Sequence, residues 1–419
     1  VGAQYGGGVQ GTLDRRTRPA DDPGPSDPAS FWATTWATAL ERHGARATAD
    51  AAHLGLGPLT LLVAGEAWGI SPVTLAVSRG GQAPVTVELE ADAFADLVTG
   101  RRSGLGLAVA GRARGDGVGA LCAWDPVLRS VLDGRPVYRP GDIVLRAADG
   151  GPLDLDRRFR LDDPAEHADA AHFLAAAGFL SVAAPFTTAE IDALDAELTD
   201  AVVAARPDDG TSWWASTADG DRYPTRILDL ADRSPTLQTL VADRRYLAVG
   251  QLLGLGHRPG DPFGERFAGV TAEGLTKRVG SVDGLVCLPW HNDCERGGHS
   301  MFCCGITVGI CLTPVDPAHG GLDVYAGSHR ANIARAQFDR GLDLPAVSLA
   351  AERGDLTVHL SCTLHRSTHP TRSERRVVYT GFALPVPDDD DGAADTDRTA
   401  ALRRDRSAIG AANPSGPGR

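Results

Sequence analysis

Lysine is all but missing from this chain: Lys277 is the only one, although the sequence carries 41 basic residues in all. No run of basic residues accompanies the formal charge of −13, so a nucleic-acid partner is not expected. No stretch is apolar enough, for long enough, to cross a bilayer. The first thirty residues lack the charged head and apolar core of a secretory signal. A cytoplasmic location, without a membrane partner, is the expectation. The seven cysteines are an odd number without regular spacing, which argues against a disulfide framework. Glycine clusters such as "GLGLAVAGRARG" lack both the dinucleotide fingerprint and a Walker lysine.

What is present is an ordinary soluble composition, 42% apolar and 23% charged, over 419 residues. That length suggests two or three domains. Residues 1–30 read as a disordered leader. Residues 387–419, with an acidic cluster and few large apolar groups, read as a disordered tail. Residues 31–150 read as an α+β domain. "SFWATTWATALERHG" has helical spacing, "LTLLVAGEAWGI" and "VTLAVSRGGQAPVTVELE" read as strands, and "ADAFADLVTGRRS" as a helix. "GLAVAGRARGDG" reads as a further strand and "WDPVLRSVLDG" as a closing helix. From Gly57 to Pro136 this order resembles the sterol-carrier-protein fold; a scaffold domain is the plain alternative. Residues 165–386 open with helix, short strand and helix. "TTAE" is placed to form a capping box at the second helix. Many short strands follow, which suits a double-sheet jelly roll.

"LPWHNDCERGGHS" carries the first chemical signal. Residues i and i+2 of a strand share a face, so His291 and Asp293 can offer an imidazole and a carboxylate to one ion. A third ligand from another strand would complete a facial triad with three positions left open. Five cysteines, Cys287, Cys294, Cys303, Cys304 and Cys311, surround the pair. They read as small apolar filler, with a zinc site from Cys294, His299, Cys303 and Cys304 as the alternative. The partner for the pair is sought in "GDLTVHLSCTLHRSTHPTRSERRVVYTGF". Here a strand is expected to end at His365, turn through Pro370 and return as a neighbouring strand, bringing an arginine back beside the histidine. Ser367, two residues on, faces the same way as His365. A guanidinium with a hydroxyl is suitable hardware for a carboxylate.

From Ala165 to Leu384 the sequence resembles the phytanoyl-CoA dioxygenase family of Fe(II)- and 2-oxoglutarate-dependent oxygenases. The motifs "WHND", "GGLDVYAGSHR", "GDLTVHLSCTLHRS" and the arginine eleven positions after His365 carry the resemblance. It implies a double-stranded β-helix, with Fe(II) held by His291, Asp293 and His365. It also implies a 2-oxoglutarate carboxylate held by Ser367 and Arg376. Arg375 is then expected on the opposite face. Lys277, on the strand before the HxD strand, is a further candidate for an anion of the substrate or co-substrate. Arg366 replaces the family's usual glycine and is expected to narrow the pocket. The implied reaction consumes dioxygen, releases succinate and carbon dioxide, and hydroxylates an unactivated carbon of a small molecule, as in specialised metabolism. Asp293 stands where related halogenases have a small residue, which favours hydroxylation, with desaturation, cyclisation or epimerisation open after the same hydrogen abstraction.

The other histidines read as structural: His359 as a core or hydrogen-bonded side chain, His299, His319 and His369 as solvent-facing loop residues, with His369 the one rival to His365 as third ligand, and His329 as part of a turn motif. Trp213, Trp214, Tyr223 and Arg226 are candidates for an entrance, with core packing as the other reading of the tryptophans. Two readings from other classes stand beside the oxygenase. One is a binding protein that keeps the metal ligands without turnover. The other is a lipid or acyl carrier, or a carrier that delivers substrate, acting through the first domain.

Overall fold

The computed structural model describes residues 25, 27–100, 102–109, 111–260, 272–284, 286–293, 305–338 and 341–383. The expected tail, most of the expected leader, and Cys294, His299, Cys303 and Cys304 lie outside them. The chain is already helical from Pro28, inside the expected leader, because Asp27 caps that turn through Ala29 N and Ser30 N.

The N-terminal unit is built on a five-stranded sheet: β1 (Leu59–Val63), β2 (Glu66–Ile70), β3 (Val77–Arg79), β4 (Thr86–Leu89) and β5 (Ala113–Arg114), ordered β3-β2-β1-β4-β5. β1 and β2 form a hairpin whose turn, Ala64-Gly65, has φ of 48° and 84°, the left-handed pair that a tight two-residue hairpin needs. β4 returns parallel to β1. Helices Ala37–Leu54 and Val118–Leu132 cover the sheet, and Trp36, Trp68, Phe94 and Trp124 fill the space between. The expected strand in "GLAVAGRARGDG" is instead a helix, Gly104–Val109, followed by β5. Ser103 caps that helix by accepting from Gly106 N, and its run of small and apolar residues has no alternation to support a strand.

The second unit begins with the short β6 (Arg158–Phe159), the helix Pro164–Ala177, β7 (Phe179–Val182) and the helix Thr188–Ala204. Thr187 and Glu190 form the capping box expected of "TTAE". Gly178 ends the first helix at φ 82°, and a Cβ there would clash with His329 Nδ1. Then come β8 (Ser212–Ser216), β9 (Arg222–Ile227), β10 (Arg258–Pro259), β11 (Glu273–Lys277), β12 (Leu288–His291), β13 (Gly305–Cys311), β14 (Leu322–Tyr325), β15 (Ala346–Ser348), β16 (Leu356–Leu360), β17 (His365–Ser367) and β18 (Arg375–Ala383).

Eight of these make the jelly roll. β16-β13-β18-β11 form the centre of a nine-stranded sheet, and β12-β17-β14-β15 form a second sheet. Numbered from β11, the first, third, sixth and eighth strands share one sheet and the other four share its partner, which is a double-stranded β-helix. The outer face of the large sheet, with Ile306, Val308, Val378 and Phe382, packs against the helices that include Thr188–Ala204.

One local expectation fails with consequences. "DLTVHLSCTLHRS" is not one strand: β16 ends at Leu360 in the large sheet, and β17 starts at His365 in the small one. β17 pairs with β12 and β14, whereas β18 pairs with β11 and β13, so the expected His365–arginine hairpin does not form. The turn at 361–364 is fixed by hydrogen bonds that leave no further ladder: Ser361 N to Gly305 O at 3.0 Å and Leu364 N to Ser328 Oγ at 2.8 Å.

Candidate metal centre

His291 closes β12, and its ladder partner across the small sheet is His365, the first residue of β17. Asp293 follows two residues later, and its backbone N–H donates to Ser361 O at 2.8 Å. The three side chains converge. Asp293 Oδ1 lies 3.7 Å from His291 Nε2 and 3.8 Å from His365 Nε2. The two imidazole rings are 4.2 Å apart. One donor atom from each residue falls within 4.8 Å of the other two.

Those donors suit a divalent transition metal. Nδ1 of His291 stands 2.8 Å from Pro289 O, and Nδ1 of His365 stands 2.9 Å from Thr363 O. With Nδ1 donating to a carbonyl, each ring turns an Nε2 lone pair toward Asp293. Burial opposes charge on Asp293, yet the imidazoles of His365, His359 and His291 outweigh it and hold the carboxyl well below the usual range. Burial, with His291 and His359 nearby, keeps the His365 imidazole well below its ordinary value. At neutral pH the set is therefore a carboxylate and a neutral imidazole ready to donate. An ion about 2.1 Å from each donor allows separations up to about 4.2 Å, which the two carboxylate–imidazole distances respect.

The residues expected to bind an anion fall differently. Arg376 lies on the outer face of β18: its Nε donates to Asp195 Oδ1 at 2.8 Å and its Nη2 to Thr199 Oγ1 at 2.8 Å, both on the helix Thr188–Ala204. Arg375 is the inward residue. Strand parity gives the reason. Thr307 on β13, whose hydroxyl donates to Asp293 Oδ2 at 3.2 Å, is paired with Gly381. Gly309 is paired with Tyr379, Cys311 with Val377, and Lys277 with Arg375. The odd-numbered residues of β18 thus share a face with Thr307 and look into the sandwich.

Arg375 is wholly buried, with Nη1 donating to Gly320 O at 2.9 Å and Nη2 to the Tyr379 hydroxyl at 2.9 Å; its Nε has no partner. Beside it Lys277 is 1% exposed and donates to Thr368 O at 3.3 Å. Burial first, and the Arg375 charge second, push the lysine well below its usual range. Among the described residues no carboxylate pairs with either cation. Thr368 is three residues beyond His365, about 10 Å at the rise of a strand. Ser367, between them, accepts from Leu288 N at 3.1 Å.

Residues 174–377 match the phytanoyl-CoA dioxygenase family model. They are a domain of that family. The chain is thus an Fe(II)- and 2-oxoglutarate-dependent oxygenase, with dioxygen as the further co-substrate. No curated protein sequence matches the chain. Solved structures of low similarity include AviO1 from Streptomyces viridochromogenes Tue57, at 20% identity and TM-score 0.41, covering 53% of this chain and 98% of that one. The epimerase SnoN from nogalamycin biosynthesis matches at 18% identity and TM-score 0.39, covering 52% and 83%. EctD from S. alaskensis with bound Fe matches at 17% identity and TM-score 0.42, covering 60% and 90%.

Other residues of the dioxygenase-family domain resolve plainly. Arg366 does not narrow the pocket. It faces out of the small sheet, where it pairs with Asp323 at 2.8 Å and lies over the Trp290 ring. His369 is exposed in the turn after β17, and His329 is buried with Nε2 3.0 Å from Ala175 O. His319 is half-buried rather than solvent-facing, with Nδ1 2.7 Å from Asp316 Oδ1. Trp213 and Tyr223 are buried, and Arg226 pairs with Glu273 over the Trp213 ring. Among the described residues no helix is long and apolar enough to cross a membrane.

Proposed function

We propose that His291, Asp293 and His365 hold Fe(II), and that the enzyme hydroxylates an unactivated carbon of a small molecule. The observation that carries this reading is one imidazole–carboxylate–imidazole cluster together with two buried basic side chains, Arg375 and Lys277, that no carboxylate among the described residues pairs with. Iron bound there supplies dioxygen activation coupled to decarboxylation of 2-oxoglutarate. The chain's own residues do the rest. The carbonyls of Pro289 and Thr363 fix the two histidine tautomers. Asp293 adds one negative charge and fills the place a halide would need. Arg375 and Lys277, with the Ser367 hydroxyl, receive the far carboxylate of 2-oxoglutarate. The arriving anion favours the lysine's charged form, which burial disfavours. Burial of the cations keeps water from competing for it.

The N-terminal sheet, with its α+β layering and β4 parallel to β1, supports a sterol-carrier-like unit that presents or scaffolds the oxygenase. A cytoplasmic location belongs to the same reading, because Fe(II) needs reducing surroundings. Anaerobic titration of the apo-protein with Fe(II) and then 2-oxoglutarate tests the site. A visible charge-transfer band should appear only with both and should be lost in Asp293→Ala. Succinate formation without added substrate then separates an enzyme from a binding protein that merely keeps the ligands.

A further inference from the structure

A third histidine stands at this centre. His359 belongs to β16 in the large sheet, yet its ring lies 4.3 Å from the His365 ring and its Nε2 lies 3.5 Å from Asp293 Oδ2. It is 2% exposed, and neither ring nitrogen has a hydrogen-bond partner at normal distance. A buried imidazole left so is costly, on general grounds, unless the position does something. Its ladder partner on β13 is Thr307, whose hydroxyl donates to the same Oδ2. The two oxygens of Asp293 therefore meet different company: Oδ1 faces the Nε2 atoms of His291 and His365, and Oδ2 faces His359 and Thr307.

We propose that His359 and Thr307 are positioning residues that occupy Asp293 Oδ2, so that the carboxylate offers the metal one oxygen and not two. His359 is outside the three-residue cluster and serves it from the opposite sheet. With its proton on Nε2, the ring is placed to donate to Oδ2, 3.5 Å away. A carboxylate held by one oxygen leaves an additional coordination position open for co-substrate and dioxygen. β13 and β16 are adjacent strands, so the two donors come from a single ladder rung of the large sheet.

The inference rests on the metal reading above and is tested separately from it. Co(II) and Fe(II) affinities are measured by anaerobic calorimetry on the full chain without 2-oxoglutarate, and apo-protein melting temperatures are recorded alongside. His359→Leu keeps volume without a donor, Thr307→Val removes the hydroxyl, and His359→Gln places an N–H near the Nε2 position. His359→Leu and Thr307→Val are expected to weaken metal binding roughly 10- to 100-fold, and His359→Gln to stay within about threefold. The apo melting temperature of His359→Leu is expected to equal or exceed the wild-type value, since two unpartnered buried nitrogens are removed. A merely structural histidine would give the reverse, a lower melting temperature with unchanged affinity. The proposal is overturned if His359→Leu and Thr307→Val bind metal like the wild type. It is overturned equally if His359→Gln loses as much affinity as His359→Leu. Failure of the wild type to bind either metal would instead sink the metal reading itself.

Discussion

Exchange of Arg375 for methionine removes a guanidinium that is wholly buried and faces the sandwich interior, while exchange of Arg376 for alanine removes one that faces a helix. The two residues are neighbours in sequence, so the pair of variants tests strand parity directly. Arg375 holds Gly320 O and the Tyr379 hydroxyl and keeps Nε uncommitted. Loss of one partner from a buried, charge-assisted carboxylate contact costs about 3 kcal/mol. At 1.4 kcal/mol per decade that is on the order of 100-fold in 2-oxoglutarate affinity. Arg376 is in a partly exposed ion pair with Asp195, its side chain 15% exposed and the aspartate's 30%. Such a pair is worth up to about 1 kcal/mol, a shift of about 2–4 °C in melting temperature for a domain this large. The assay is succinate formation across a range of 2-oxoglutarate concentrations, with calorimetric binding of 2-oxoglutarate to the Mn(II)-loaded protein. Arg375→Met should raise KM for 2-oxoglutarate by about that factor, and Arg376→Ala should leave KM alone and lower only stability. If Arg376→Ala raises KM while Arg375→Met does not, the face assignment of β18 is wrong and the proposed co-substrate pocket fails with it.

Lys277→Met should raise KM for 2-oxoglutarate by roughly tenfold, less than Arg375→Met, because burial already disfavours the lysine's charge before the anion arrives. Asp293→Ala should cost more than about 100-fold in Fe(II) affinity, read by equilibrium dialysis; retention of wild-type affinity would remove Asp293 from the ligand set. The apo-protein should melt at lower temperature as pH falls from about 6.5 to about 5. The folded-state value of His365 is depressed, so its contribution is present above the unfolded value and lost as protons force charge into the buried site. His365→Leu should flatten that slope. Asn332 donates from Nδ2 to Pro126 O at 2.8 Å and Arg135 O at 2.9 Å, tying the N-terminal unit to the oxygenase. Asn332→Ala should cost about 2 kcal/mol and, in calorimetry, separate the unfolding of the two units.

The sequence by itself determined the parts of this protein whose physics is local. The spacing of His291 and Asp293 puts both on one side of an extended chain, and the position of Ser367 relative to His365 obeys the same period. The capping box at Thr187 and Glu190 is equally local, fixed by side-chain preferences within a few residues, whereas "LTLLVAGEAWGI", read as a strand, folds back on itself at Ala64-Gly65. Which arginine faces inward was not local. "RRVVYTGFA" has apolar residues on both faces, because β18 is covered by helices on one side and by the opposing sheet on the other. Its alternation therefore carries no sign of which side is which. Only pairing with β11 and β13 sets Arg375 beside Lys277 and sends Arg376 to Asp195. His359 was hidden for a related reason: the break at 361–364 moves the chain from one sheet to the other. Two histidines six residues apart thus come to face each other across the sandwich, a placement that belongs to the packing of sheets and to no single stretch of sequence.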